Sequence, residues 1–257
     1  MVSEIKQIQE GSVTSPQGFF AGSVHAGLKT QGNDPLDLGI IFSDVPGNVA
    51  GTFTTNKVRS PSVVLSEEHV RSGKAQAMFA NSGCANCCVG EQGLLDAKEI
   101  CQLISNKLGI NLEDVLVCST GMIGVELPMA LLRKGIGSIS LDDNGGHEFA
   151  QAIMTTDISP KEFAVTFDIQ GENITLGGCA KGAGMVHPNM ATMLCFLTTD
   201  ASVESSFLTA VLKRAVGYSF NLISVDNDIS TNDSVLLLAN GAKGLPPIVE
   251  GTEEAEI

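Results

Sequence analysis

Apolar positions fall along the chain in short blocks with two different periods. Leu94, Ala97, Cys101, Ile104 and Leu108 recur every three or four residues, which predicts an amphipathic helix over 91–108 ending before Gly109. Val203, Phe207, Leu208, Val211, Leu212 and Ala215 line one face of a second helix, with Ser205 and Ser206 on its wetter side. Phe149 and Ile153 mark a third, after which 154–161 forms a helix end with a proline stop. Residues 38–42, 77–80 and 115–118 are short apolar runs of strand length, and 193–197 is a further buried strand. Residues 163–169 and 174–176 flank Gly171-Glu172-Asn173, so they read as a hairpin whose second arm runs toward Lys181. Helices and strands of mixed spacing, with a hairpin among them, predict a layered α/β or α+β domain rather than a doubly wound parallel sheet.

Composition narrows the classes. The 257 residues can bury a substantial core as one large domain or two small ones, and 43% hydrophobic with 17% charged residues describes a globular chain. A formal charge of −14 without clustered Lys and Arg argues against nucleic-acid binding. No apolar run approaches a membrane span, and the first residues resemble neither a secretory nor a transit peptide, so a cytoplasmic location is the expectation. Seven cysteines, an odd count in a chain with a full core, read as buried hydrophobes rather than a disulfide framework. Cys84-Ala85-Asn86-Cys87-Cys88 has no second Cys-x-x-Cys to complete a zinc site. Residues 226–234 fail the calcium-loop template, with Thr231 where glycine is required and Leu237 where the bidentate glutamate belongs. No metal is therefore expected. Neither dinucleotide nor Walker-type glycine patterns occur.

Two segments carry candidate chemistry. Ser119-Thr120-Gly121-Met122-Ile123-Gly124 sits where a strand gives way to a loop, which is either a glycine-rich turn or a place where a hydroxyl and a backbone N–H converge on one point, as an oxyanion requires. The run from Lys181-Gly182-Ala183-Gly184 to Asn189-Met190-Ala191-Thr192-Met193-Leu194 sets a threonine at the mouth of an apolar run. It reads as a loop-to-strand junction, or as a threonine that becomes a nucleophile once its own α-amine is freed.

That second run resembles, almost residue for residue, the self-cleavage site of the ornithine acetyltransferase family, the ArgJ-type glutamate N-acetyltransferases. Val13-Thr14-Ser15-Pro16-Gln17-Gly18-Phe19, Gly51-Thr52-Phe53-Thr54-Thr55-Asn56, Asn81-Ser82-Gly83, Met154-Thr155-Thr156-Asp157 and Leu236-Leu237-Leu238-Ala239-Asn240-Gly241 extend the resemblance over nearly the whole chain. Cys84 departs from the asparagine expected there.

The resemblance implies a four-layer α/β/β/α fold (DmpA/ArgJ-like) analogous to N-terminal-nucleophile hydrolases. It implies autocatalytic cleavage between Ala191 and Thr192, giving an alpha segment 1–191 and the opening of a beta segment, 192–257, within one domain. Thr192 would be the nucleophile, and Thr120 and Gly121 the oxyanion donors. Thr155, Lys181 and Thr192 would bind substrate. The activity implied is transfer of acetyl from N-acetylornithine to glutamate in arginine biosynthesis, with no cofactor and with acetyl-CoA as a further donor in some members. Alpha and beta chains would assemble as a heterotetramer. Family members continue well beyond Ile257 and include a substrate-binding glutamate there, so the chain reads as truncated. An amidase or aminopeptidase of the same type, or a non-catalytic paralogue, are the alternatives.

Overall fold

A computed structural model describes residues 4–30, 35–184, 193–223, 226 and 228–257. In chain order the strands and helices are β1 (Lys6–Gln7), β2 (Phe19–Val24), β3 (Leu38–Phe53), α1 (Pro61–Val70), β4 (Lys74–Cys84), α2 (Gln92–Leu108), β5 (Val115–Met122), α3 (Met129–Ser138), α4 (Gly146–Ala152), β6 (Lys161–Ile169), β7 (Glu172–Lys181), β8 (Leu194–Thr199), α5 (Ser205–Tyr218) and β9 (Ser234–Ala239).

Local chemistry sets the helix limits. Ser60 Oγ accepts the Val63 N–H to cap α1, and Pro61 occupies its first turn. Gly109, at φ 69°, ends α2 in the left-handed conformation while its N–H donates to Ser105 O. Glu204 caps α5 by accepting the Phe207 N–H at 2.9 Å.

Among the described residues all nine strands join in one mixed sheet, ordered β1-β6-β7-β8-β9-β3-β4-β5, with β2 on β3. The sheet folds over on itself at β3. Residues 38–42 of β3 pair with β2 and β4, whereas 48–53 pair with β9, and the register with β4 slips between Phe42 and Gly47. Such a bulge bends a strand sharply. In a flat sheet the ends of β5 and β7 would stand five strand spacings apart, roughly 24 Å. Instead Lys181 on β7 donates to Thr120 on β5 at 3.0 Å.

The fold-over produces layers. One core cluster joins Ile41, Met78, Ala80, Leu116 and Cys118 to Cys179, Leu194, Phe196 and Leu236, so it lies between the two halves of the sheet. Helix α4 plugs this space, with Phe149 meeting Phe196 edge-on at 5.0 Å between ring centres. Ala77, Phe79 and Val117, on the opposite side of their strands, pack against α2 and α3. Val235 and Leu237 pack against Leu208, Leu212 and Val216 of α5. Helix, sheet, sheet, helix is the arrangement expected. Among the described residues no helix is long and apolar enough to cross a membrane.

Candidate active site

The fold-over brings the ends of four strands together. β5 delivers Thr120 and Gly121, and β7 delivers Lys181. Met193 and Asp233 immediately precede β8 and β9, whose first residues Leu194 and Ser234 are register partners, and Lys181 faces Leu194 in turn. Between these ends lies a cavity of about 510 Å³ lined by Thr120, Gly121, Thr155, Thr156, Lys181 and Thr231, among others. A second cavity of about 610 Å³ shares Gly121, Met122, Thr155 and Thr156 with it and extends past Lys29 and Cys84. Thr120, Gly121, Thr155 and Lys181, four residues singled out from sequence, thus share one wall-to-wall space. Ala191 and Thr192 lie outside the described residues.

Gly121 is glycine for a steric reason. Its φ is +129°, and a Cβ there would lie 2.3 Å from the carbonyl carbon of Gly83 and 2.6 Å from the N of Cys84. The close crossing of the β4 and β5 ends leaves no space for one. Asn232 fixes the facing loop by donating to Ala85 O at 2.6 Å and Ser119 O at 2.8 Å. Asn81 donates to Cys84 O at 2.7 Å, and the Cys84 thiol to Val125 O at 3.1 Å. The cysteine that stands where the family pattern led us to expect asparagine is thus hydrogen-bonded through its thiol, while Asn81 Oδ1 and Asn86 Oδ1 nearby are buried without a partner among the described residues. Burial pushes the thiols of Cys84 and Cys87 above their ordinary pKa, which disfavours a thiolate nucleophile here.

The charges alternate. Lys181 is 3% exposed, and burial lowers its pKa against the pull of Asp157 and Asp233. Because its ammonium donates to Thr120 Oγ1, the Thr120 hydroxyl proton is left for another acceptor. Asp157 accepts from Lys161 and from the N–H groups of Gly182 at 2.8 Å and Thr155 at 3.3 Å. Burial opposes its ionisation, but the Lys161 ammonium and those N–H groups outweigh it and hold its pKa below the usual value. Lys29 donates to Leu36 O and Ala152 O, and burial lowers its pKa to about 8 despite nearby Asp37. Asp37, wholly buried, accepts four N–H groups, from Ala26, Gly27, Leu28 and Lys29, and so shapes that wall.

Sequence reasoning assigned no role to Asp233, Asn232, Asp37 or Lys29. Asp233 is 1% exposed and accepts the Met193 N–H at 2.9 Å. Its other oxygen, Oδ2, is buried without a hydrogen-bond partner among the described residues. Burial raises its pKa to about 7, against the Met193 N–H, the Ser230 hydroxyl and Lys181.

Comparison with known proteins accords with this geometry. The ArgJ family model matches residues 20–256. The arginine biosynthesis bifunctional protein ArgJ of Dehalococcoides mccartyi is 47% identical over 253 residues, covering 98% of this chain and 62% of that protein. The chain thus spans less than two thirds of that relative's length. The crystal structure of the ArgJ protein of Bacillus halodurans is 38% identical, with a TM-score of 0.69, and aligns to 74% of this chain and all of that one. The ornithine acetyltransferase of Mycobacterium tuberculosis, solved in complex with ornithine, is 35% identical, with a TM-score of 0.67, over 72% of this chain and 98% of that one. The Ochrobactrum anthropi aminopeptidase, a variant of the Ntn hydrolase fold, is 12% identical with a TM-score of 0.52 and shares the fold alone. On the extent of the family match and the identity to its members, the chain belongs to the ArgJ family.

Proposed function

We propose that the chain carries the acyl-transfer centre of an N-terminal-threonine acetyltransferase that moves acetyl from N-acetylornithine to glutamate. The observation that carries this reading is the cavity shared by Thr120, Gly121, Thr155 and Lys181, with Lys181 bound to Thr120. Cleavage between Ala191 and Thr192 frees the Thr192 α-amine, which takes the proton of its own hydroxyl as Oγ attacks the acetyl carbonyl. Thr120, its hydroxyl polarised by the Lys181 ammonium, and the Gly121 N–H hold the developing oxyanion, each worth about 3 kcal/mol. Ornithine leaves, and the amino group of glutamate attacks the acetyl-threonine ester in the reverse sense. Lys181 and Thr155 hold the substrates, the ammonium pairing with a carboxylate.

Coverage of the solved relatives supports the cleavage. The Bacillus halodurans chain aligns in full to 74% of these 257 residues, about 190, which is the length of the segment ending at Ala191. By the same reading the segments up to and after that bond assemble as a cytoplasmic heterotetramer, and acetyl-CoA serves as a second donor. The test is product analysis with N-acetylornithine, in the presence and absence of glutamate. N-acetylglutamate formed by the wild type and not by Thr192→Ala is the expected result. Acetate released at the same rate without glutamate makes the protein a hydrolase and overturns the reading.

A further inference from the structure

The mechanism above leaves one step without a base. The α-amine of Thr192 can accept a proton after the chain is cut, but before cleavage that nitrogen is an amide and has no basicity to offer. Another group must take the Thr192 hydroxyl proton the first time. It has to carry a proton and to keep a lone pair free of hydrogen bonds.

Asp233 is such a group, fastened to the residue that follows 192. Its Oδ1 accepts the N–H of Met193, the residue bonded to the Thr192 carbonyl carbon, at 2.9 Å. Its Oδ2 is buried and accepts no hydrogen bond of good geometry among the described residues, the Ser230 hydroxyl being the polar neighbour of a carboxyl whose residue is 1% exposed. A buried carboxylate oxygen without a partner is costly, so its retention calls for a reason. The carboxyl is anchored from both sides along the chain: Asp233 O accepts the Thr54 N–H at 2.9 Å, and Ser234 N donates to Met193 O at 3.1 Å. The rest of the centre is poorly suited to the task. Lys181 is held as a donor to Thr120, and Asp157 is occupied by Lys161, Gly182 and Thr155.

We propose that Asp233 is the proton acceptor of the self-cleavage step, one carboxylate oxygen gripping the Met193 N–H while the other receives the Thr192 hydroxyl proton. The proposal rests on the reading of Thr192 given above. The Thr192 Oγ–H bond breaks and its proton passes to Asp233 Oδ2 as Oγ bonds to the Ala191 carbonyl carbon. Collapse of the tetrahedral intermediate breaks the C–N bond between Ala191 and Thr192, and the proton moves from Asp233 to the departing nitrogen. Water then hydrolyses the ester, leaving the Ala191 carboxylate and a Thr192 with free hydroxyl and amine. The raised pKa of Asp233, about 7, suits a group that must both accept and return a proton near neutrality. The charged neighbour that faces it is Lys181, from β7.

The experiment follows the chain by intact mass at intervals after synthesis. Asp233→Asn keeps an oxygen for the Met193 N–H and removes the base, so it should keep its thermal transition yet cleave about 100-fold slower or more. Asp233→Glu should recover part of that rate. The wild-type rate should rise about tenfold per pH unit below pH 7 and level off above it. That last arm needs no variant to fold. Cleavage of Asp233→Asn within a few-fold of wild type, or a wild-type rate flat from pH 5.5 to 8.5, overturns the proposal while leaving the Thr192 reading standing. An uncut wild type, or a Thr192→Ala chain cut at the same bond, overturns that reading and this proposal with it.

Discussion

Replacing Gly121 by alanine tests the packing on which the site depends. The added methyl would lie 2.3 Å from a backbone carbon of Gly83 and 2.6 Å from the backbone nitrogen of Cys84, so no flexible side chain can swing away to admit it. Holding alanine at φ +129° costs about 1–3 kcal/mol in backbone strain. Forcing the β4 and β5 ends apart adds about 1–3 kcal/mol. The sum, about 2–6 kcal/mol, is a large part of a typical folding free energy of 5–15 kcal/mol. For a chain of this size it should lower Tm by roughly 5–20 °C. Gly124→Ala is the matched control in the same loop: φ there is +77° and nothing lies within 4 Å of the added methyl, so the left-handed backbone alone is penalised, by about 1 kcal/mol. Both variants can be compared by thermal and urea unfolding monitored by circular dichroism. Equal losses in the two would show that the crossing of Gly83 and Gly121 is not as tight as argued, and that the glycine is there for its conformation only.

Further outcomes follow from the walls of the cavities. Asp37→Ala leaves four N–H groups without their carboxylate and should cost about 3–5 kcal/mol in urea unfolding, a loss under 1 kcal/mol being incompatible with its role as anchor of 26–29. Lys29 has a folded-state pKa below the ordinary lysine value, so its neutral, nucleophilic form is half populated near pH 8. Amine acylation followed by peptide mass spectrometry should therefore label it increasingly between pH 7 and 9, ahead of exposed lysines, and labelling that waits for pH 10 contradicts the argument. On the proposed mechanism Thr120→Val takes away one of the two oxyanion donors together with the acceptor of the Lys181 ammonium, and should slow acyl transfer by about 10²-fold or more, with Thr120→Ser restoring most of it.

Elements whose side chains meet near neighbours in sequence were legible in advance. Of the predicted α2 stripe, Ala97, Cys101 and Ile104 are buried and Leu94 and Leu108 partly so, with Ile100 a further buried position that the spacing missed; the helix ends before Gly109, and the hairpin turns at Gly171. The strand at 115–118 was legible, but it runs on to Met122, so Thr120 and Gly121 line the cavity from within β5 and not from the loop that the sequence reading placed there. The length of β3 was not legible. Pro46 and Gly47 look like a turn, yet the bulge there absorbs them and the strand resumes to Phe53. This bend makes two sheet layers from one sheet, and no periodicity of 38–42 announces it. The unassigned site residues were missed for a related reason. Asp233 meets Met193 from 40 positions away, and Asn232 meets Ala85 from 147. Asp37 looks like any polar residue before an apolar run until its backbone partners are seen. Distances of this kind are set by the fold-over, not by the local pattern.

The central claim is that Thr192 becomes an N-terminus by the chain's own chemistry. Intact mass spectrometry of the freshly purified wild type and of Thr192→Ala tests it most directly. The account predicts two pieces for the wild type, one ending at Ala191 and one starting at Thr192, the second gaining the mass of one acetyl group with N-acetylornithine, and a single uncut species for the variant. A wild type that stays whole, or a variant severed at the same bond, contradicts it.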